Sequence, residues 1–358
     1  MIFYLTLFII FIALYKWAEL RESKWLLFFA ILVPSLFEGL RDDIVGQDML
    51  GYGSQWFDYM DETECIWDMF SFAQTPEYAY HLIIYLSKLI LPDIHLYMTI
   101  CALIKMSMVT LFAYRMRYQI STVLFMFSYY CFFYVTSFSM MRQGVAVAIC
   151  IYSLYYFYNE NILKFLICVL VSYLFHNSAI LMLLLIPLYL MRNFKYKYAV
   201  ILGSIFLIIT SVEILFEYVL LLPIFKSDMM DLYMDSGVPS AKTNILISLA
   251  FIAYAIYLRG FGEDDSNEKS YIILVTSAMT LMFLVLSSYI EVAFRMSYYM
   301  FITSVLFVLM AIYENERLRP SFFIVFLSLF ALHFYIESKH GLYGALDYSS
   351  DILGITFI

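Results

Sequence analysis

Four cationic side chains fall where apolar stretches of this sequence begin or end: Arg41, Arg142, His176 and Arg295. Arg41 closes one stretch, Arg142 and Arg295 open two others, and His176 sits in the break between two more. Arginine presents planar, bidentate, permanently charged donors that match phosphate oxygens. Histidine, with an ordinary pKa of about 6.5, can accept a proton or donate one. Helices opening near Arg142, Ser178 and Arg295 would add unpaired N–H groups and the positive end of a helix dipole. The chemistry open to such a set is capture of a phosphate-bearing group and stabilisation of charge developing on it. Each residue also has a plainer reading. An arginine at a span end anchors the chain by reaching to headgroups, a single histidine serves a structural hydrogen bond, and Asp42 or Asp43 can consume the charge of Arg41.

Other features support or compete with this set. Gly46 with Asp48 two residues on reads as a turn, or places Asp48 as a second base or an orienter of Arg41. Tyr52, Tyr298 and Tyr299 suit either an aromatic belt at the membrane surface or stacking against sugars. Lys105 falls near the middle of an apolar stretch, and a charge there is a functional candidate by default. Its partner is open, because Glu213 and Glu217 lie too near the outer end of their own segment. No metal-ligand pair at helical spacing, glycine-rich phosphate loop or nucleophile elbow is found, so neither a metal nor a cofactor is expected.

The elements that must position these residues are membrane helices. Of 358 residues 64% are hydrophobic and 14% charged, against about 25% charged in an ordinary soluble domain. Each crossing needs about 20 apolar residues, so about a dozen fit. The pattern predicts spans at 1–18, 25–40, 94–114, 119–138, 143–158, 162–176, 178–191, 198–221, 244–258, 270–290, 294–313 and 320–336. The expected fold class is all-α, a polytopic transmembrane bundle forming one membrane domain. Continuous rather than alternating apolar runs exclude an outer-membrane barrel. The first stretch, with no basic residue before it and no small-residue cleavage site after it, reads as a retained helix rather than a signal peptide. Four of the five cysteines lie inside spans, which argues against a disulfide framework. A net charge of −8 argues against nucleic acid as a partner.

Segment 77–91 is apolar but short and carries His81 and Lys88. If it lies at the interface without crossing, 13 of the 21 Lys and Arg residues fall in one set of loops and seven in the other, with Lys105 inside a span. If it crosses, that asymmetry largely vanishes. The positive-inside rule therefore favours an interfacial helix and places both termini outside. Three external segments result: a strongly acidic stretch with the interfacial helix at 41–93, a loop at 222–243, and the tail at 337–358. The cationic set then collects at the outer face, whereas anchoring cations favour the cytoplasmic one. The cytoplasmic loops are short, so chemistry is expected in the membrane or at its outer surface.

The order and spacing of four stretches resemble the EpsG-like branch of Wzy-type bacterial polysaccharide polymerases. They are Arg41-Asp42-Asp43-Ile44-Val45-Gly46-Gln47-Asp48 followed by Tyr52, Met141-Arg142-Gln143-Gly144-Val145-Ala146, Phe175-His176-Asn177-Ser178-Ala179, and Phe294-Arg295-Met296-Ser297-Tyr298-Tyr299. Gln47 departs from the small residue expected between glycine and aspartate. The resemblance implies an inner-membrane glycosyltransferase acting on oligosaccharide repeat units carried by undecaprenyl pyrophosphate, for O-antigen, capsule or exopolysaccharide. A hydroxyl of one unit would attack the anomeric carbon of another chain, and lipid pyrophosphate would leave. On that reading Arg142 and Arg295 hold the pyrophosphate with Arg41 as a third contact. His176 is the base or a further phosphate donor, and Asp48 is the competing base. Tyr52, Gln143, Tyr298 and Tyr299 contact glycan, and a chain-length regulator is an implied partner. A lipid-linked oligosaccharide flippase or polysaccharide exporter, and an O-antigen ligase-like transferase, are the alternatives.

Overall fold

The computed structural model describes residues 2–46, 49, 53–59, 63, 65–73, 77–211, 241–261, 264–288, 291–315 and 319–357. It is an almost wholly helical chain in two compact units, Met1–Ile180 with Leu318–Ile358, and Leu181–Arg317.

The first unit begins with α1 (Ile2–Arg21) and α2 (Lys24–Gly39). The break between them is local: Glu22 takes a left-handed φ of 47°, and the Ser23 side chain caps α2 by accepting from the Leu26 N–H at 3.4 Å. Three short helices follow, α3 (Ser54–Tyr59), α4 (Ile66–Ala73) and α5 (Tyr78–Ile90). Next is α6 (Ile94–Arg115), capped by Asp93. It packs along α2, and Gly39 makes the approach possible, because a Cβ there would overlap Thr99. α7 (Thr122–Tyr129) loosens and then tightens at its end, passing through a π turn at Tyr130–Tyr134 and a 3-10 turn at Thr136–Phe138. α8 (Met141–Tyr158) and α9 (Ile162–Tyr173) form an antiparallel pair, tied where Ser172 Oγ donates to Ala146 O at 2.7 Å.

The second unit contains a 3-10 run at Asn177–Leu184 leading into α10 (Leu185–Leu190), then α11 (Lys197–Thr210), α12 (Ala241–Phe261), α13 (Asp264–Leu286) and α14 (Glu291–Glu314). The 3-10 run straddles the boundary at Ile180. α13 packs against both α12 and α14, with small hydroxyl pairs such as Thr276 Oγ1 and Ser304 Oγ at 2.7 Å between α13 and α14. Small side chains at such crossings let helices approach where no hydrophobic effect drives them together. The chain returns to the first unit through α15 (Arg319–Lys339).

Six described helices are long and apolar enough to cross a membrane: α1, α6, α12, α13, α14 and α15. Shorter apolar helices occupy Thr122–Tyr134, Ile162–Tyr173, Asn177–Asn193 and Lys197–Thr210. An all-α membrane bundle fits. The helix over Asn177–Asn193 is largely 3-10, which rises more per residue than an α-helix and so reaches further for its length. The only strands among the described residues are in the tail. There β1 (Tyr348–Ser350) and β2 (Ile355–Phe357) pair antiparallel, Ser349 opposite Thr356. The tail is fastened to the end of α2: Asp42 N–H donates to Ser349 O at 2.9 Å and Gly46 N–H to Gly344 O at 3.2 Å. Tyr348 Oη donates to Phe37 O at 2.7 Å, and its ring stacks on Phe3 at 4.1 Å.

Candidate functional site

Arg142 lies in the first turn of α8, which has no capping side chain. Its Nη1 is in direct contact with Glu77 Oε2, and its guanidinium carbon lies 4.9 Å from the Trp56 ring of α3. Glu77 occupies the N-cap position of α5, yet its carboxylate makes no capping hydrogen bond and is 3% exposed. Its second oxygen stands 3.8 Å from His176 Nδ1. The three residues come from separate parts of the chain. The hydrogen bond from Ala79 N–H to Leu174 O, 3.0 Å, fastens the start of α5 to the end of α9 and so brings Glu77 beside His176.

The tautomer of His176 follows from its neighbours. The backbone N–H of Ser178 donates to His176 Nδ1 at 3.3 Å, and Ser178 Oγ lies 2.9 Å from the same nitrogen. A backbone N–H can only donate, so Nδ1 is the acceptor and the proton of the neutral ring sits on Nε2. His81, outside the candidate spans, is fully buried with its ring 4.7 Å from Trp56. Burial, and then the positive charge of Arg142, hold its pKa down to about 3, so it is neutral at physiological pH.

Arg41 is placed differently from Arg142. It is completely buried, and its donors go to three backbone carbonyls: Nε to Val45 O at 3.1 Å, Nη1 to Glu38 O at 2.5 Å and Nη2 to Phe138 O at 3.0 Å. Its guanidinium also covers the Phe138 ring at 4.9 Å. Neither Asp42 nor Asp43 consumes its charge in these contacts. Through these contacts Arg41 braces the loop after α2 against the corner before α8. Gly46, at φ 98°, completes that brace, since a Cβ there would sit 2.5 Å from Phe138 O.

Behind the corner, Lys105 Nζ contacts both Glu38 Oε1 and Ser137 Oγ, with Lys105 and Glu38 each 1% exposed. The partner left open by the sequence is thus Glu38 of α2. Gly144 admits this cluster, for a Cβ on it would meet Ser137 Cβ at 2.7 Å.

Of the residues expected at the site, the first unit brings Arg142 and His176 together through Glu77, with Arg41 in the adjoining brace. Gln143 also lies there but is 3% exposed. Arg295 belongs to the second unit and stands one turn inside α14, which opens at Glu291 rather than at Arg295. Tyr298 and Tyr299 follow on the same helix and are 6% and 0% exposed. Asp48 and Tyr52 lie outside the described residues, as does most of the external loop expected at 222–243. Sequence reasoning missed Glu77, Trp56, His81 and Glu38. Only Glu38 carried a signal, as the one acid of the stretch 25–40, because a lysine inside the membrane such as Lys105 needs an acidic partner. Among the described residues no group of three or more His, Cys, Asp or Glu could hold a metal ion.

An arginine guanidinium and a histidine ring meet one buried carboxylate here, an arrangement suited to an anionic group and to proton transfer beside it. No curated protein and no solved structure matches the chain. The family model described as the EpsG family matches residues 24–350, nearly the whole sequence. The chain is a multi-pass membrane protein that belongs to the EpsG family, whose members are of the polysaccharide-polymerase type.

Proposed function

We propose that this protein joins oligosaccharide repeat units carried on undecaprenyl pyrophosphate, at the outer face of the bacterial inner membrane, with lipid pyrophosphate as the leaving group. The observation that carries the reading is the Arg142–Glu77–His176 cluster, a compact anion and proton-transfer site at one end of the first unit. Negative charge grows on the pyrophosphate as its bond to the anomeric carbon breaks, and a preorganised guanidinium stabilises it. His176 serves as the second donor through Nε2–H, because its Nδ1 is already an acceptor for Ser178. Trp56, beside Arg142, supplies an apolar face of the kind on which a sugar ring stacks. Arg295 is retained as a pyrophosphate contact on the strength of its motif, and Arg41 as the brace that holds Arg142 in register.

One observation favours transport instead: the buried Glu38–Lys105 pair, because intramembrane charges mark ion and substrate pathways. A single experiment separates the readings. A strain lacking the gene is complemented with wild type, with Arg142→Ala, or with Arg142→Ala combined with Glu77→Gln, which leaves no buried carboxylate unpaired. Membrane levels are matched and surface polysaccharide is resolved by size. A ladder with wild type and a single repeat unit with either variant supports polymerisation at Arg142. Absence of even a single surface unit without the protein overturns it in favour of a flippase.

A further inference from the structure

We infer that Glu77 is the counter-ion that lipid pyrophosphate displaces from Arg142, and that it then acts as the base for the acceptor hydroxyl. The inference rests on the polymerase reading and deepens it. A side-chain oxygen at a helix N-cap, most often of Ser, Thr, Asp or Asn, can accept from the first-turn N–H groups. Glu77 does not; its side chain turns to Arg142 and lies 3.8 Å from His176. The residue is thus held for the site rather than for the helix.

Charge decides what happens on binding. A pyrophosphate and Glu77 compete for one guanidinium, and two like charges juxtaposed in a buried pocket repel strongly. The phosphate carries more charge and can engage the guanidinium bidentately. Once it does, Glu77 is a buried carboxylate that has lost its counter-ion, and its affinity for a proton rises. The base therefore gains strength only when donor is bound. His176 leaves that role open, since its Nδ1 is occupied by Ser178 and its Nε2 carries the proton.

The acceptor hydroxyl oxygen forms a bond to the anomeric carbon of the donor sugar. The bond from that carbon to the pyrophosphate oxygen breaks, and its electron pair stays on the pyrophosphate held by Arg142. The hydroxyl proton passes to the Glu77 carboxylate and later to water, which returns Glu77 to Arg142 once lipid pyrophosphate has left.

The test uses the full-length protein in detergent, with inorganic pyrophosphate as the binding probe and a lipid-linked repeat unit as the substrate. Glu77→Gln removes the competing charge but keeps the shape. It should bind pyrophosphate about ten-fold or more tighter than wild type, which is at least about 1.4 kcal/mol. Its kcat should fall by about 100-fold or more, as expected for loss of a general base, while KM for the donor falls. Glu77→Asp should recover part of the kcat, and Arg142→Ala should lose pyrophosphate binding. Equal or weaker binding by Glu77→Gln overturns displacement, and an unchanged kcat overturns the base role. A purely structural Glu77 would give weaker binding and lower kcat together, without rescue by Glu77→Asp. If wild type fails to extend repeat units while Glu77→Gln still binds pyrophosphate more tightly, the polymerase reading fails and displacement stands.

Discussion

Arg41 and Arg142 have the same charge and lie near the same corner, but their guanidinium groups face different partners. Those of Arg41 are backbone carbonyls, which nothing can replace without unfolding the loop. That of Arg142 is a carboxylate, which another anion can displace. Arg41→Ala would leave three buried carbonyls unpaired, at about 1–3 kcal/mol each. We expect a lower melting temperature and a reduced membrane level for Arg41→Ala. Arg142→Ala combined with Glu77→Gln should be close to wild type in both, with activity lost. Thermal unfolding of the purified variants in detergent separates the two outcomes. His81 gives a pH prediction of definite sign. Its pKa is held near 3 when folded, against about 6.5 when unfolded, so the unfolded chain binds the extra proton between those values. Stability from this group is complete above about pH 6.5 and is lost as pH falls toward 3, at up to about 1.4 kcal/mol per unit. Melting temperature should fall from pH 7 to pH 5 in wild type, and less steeply in His81→Gln.

At the scale of elements, the corner between α7 and α8 is the part on which the site depends. It is built from a π turn and a 3-10 turn, forms that recur at functional positions because they redirect a helix without ending it. Arg41 and Gly46 hold it from the loop after α2, while Glu38 and Lys105 hold it from behind through Ser137. Removing one member of a buried ion pair strands the other and costs about 3–5 kcal/mol, whereas replacing both by apolar groups of similar size costs far less. Lys105→Met and Glu38→Gln should each lower stability by about that amount. The double variant should recover most of it, and a double-mutant cycle on melting temperatures measures the coupling. Additive losses would show that the pair contributes nothing through mutual contact. The positions of Arg41, Arg142 and His176 at stretch ends were legible because apolar length alone marks those ends. Their different roles were not. Whether an arginine meets a carbonyl or a carboxylate depends on residues such as Phe138 and Glu77, 97 and 65 positions away from Arg41 and Arg142. Glu77 looked like one more acid of an acidic loop because nothing local distinguishes an acid that caps its helix from one that turns away.

At the scale of the whole molecule, composition alone announced a helical membrane protein, and ten of the 12 expected spans begin within a described helix or helical run. Which of them cross is harder to read, since only six combine the length and apolarity of a full crossing. The tail hairpin was invisible in the sequence: two strands of three residues each leave no periodicity to detect, and their pairing depends on docking against Asp42 and Phe37. That docking bears on the topology. Residues 42–46 and 344–351 are hydrogen-bonded to one another, so they lie on one side of the membrane, and the crossings between them must be even in number. The same parity holds between Glu77 and Arg142, which touch. If α6 and the α7 segment both cross, that parity requires α5 not to cross, which is what the interfacial reading of α5 expects. In a cysteine-free background, His340→Cys should react with a membrane-impermeant maleimide in intact spheroplasts, and Lys195→Cys only after permeabilisation. The reverse pattern would turn the whole assembly over and put Arg142 at the cytoplasmic face. Labelling of both sites from one side would mean that an even number of helical segments cross the bilayer between Lys195 and His340, in place of the five that the helix pattern expresses.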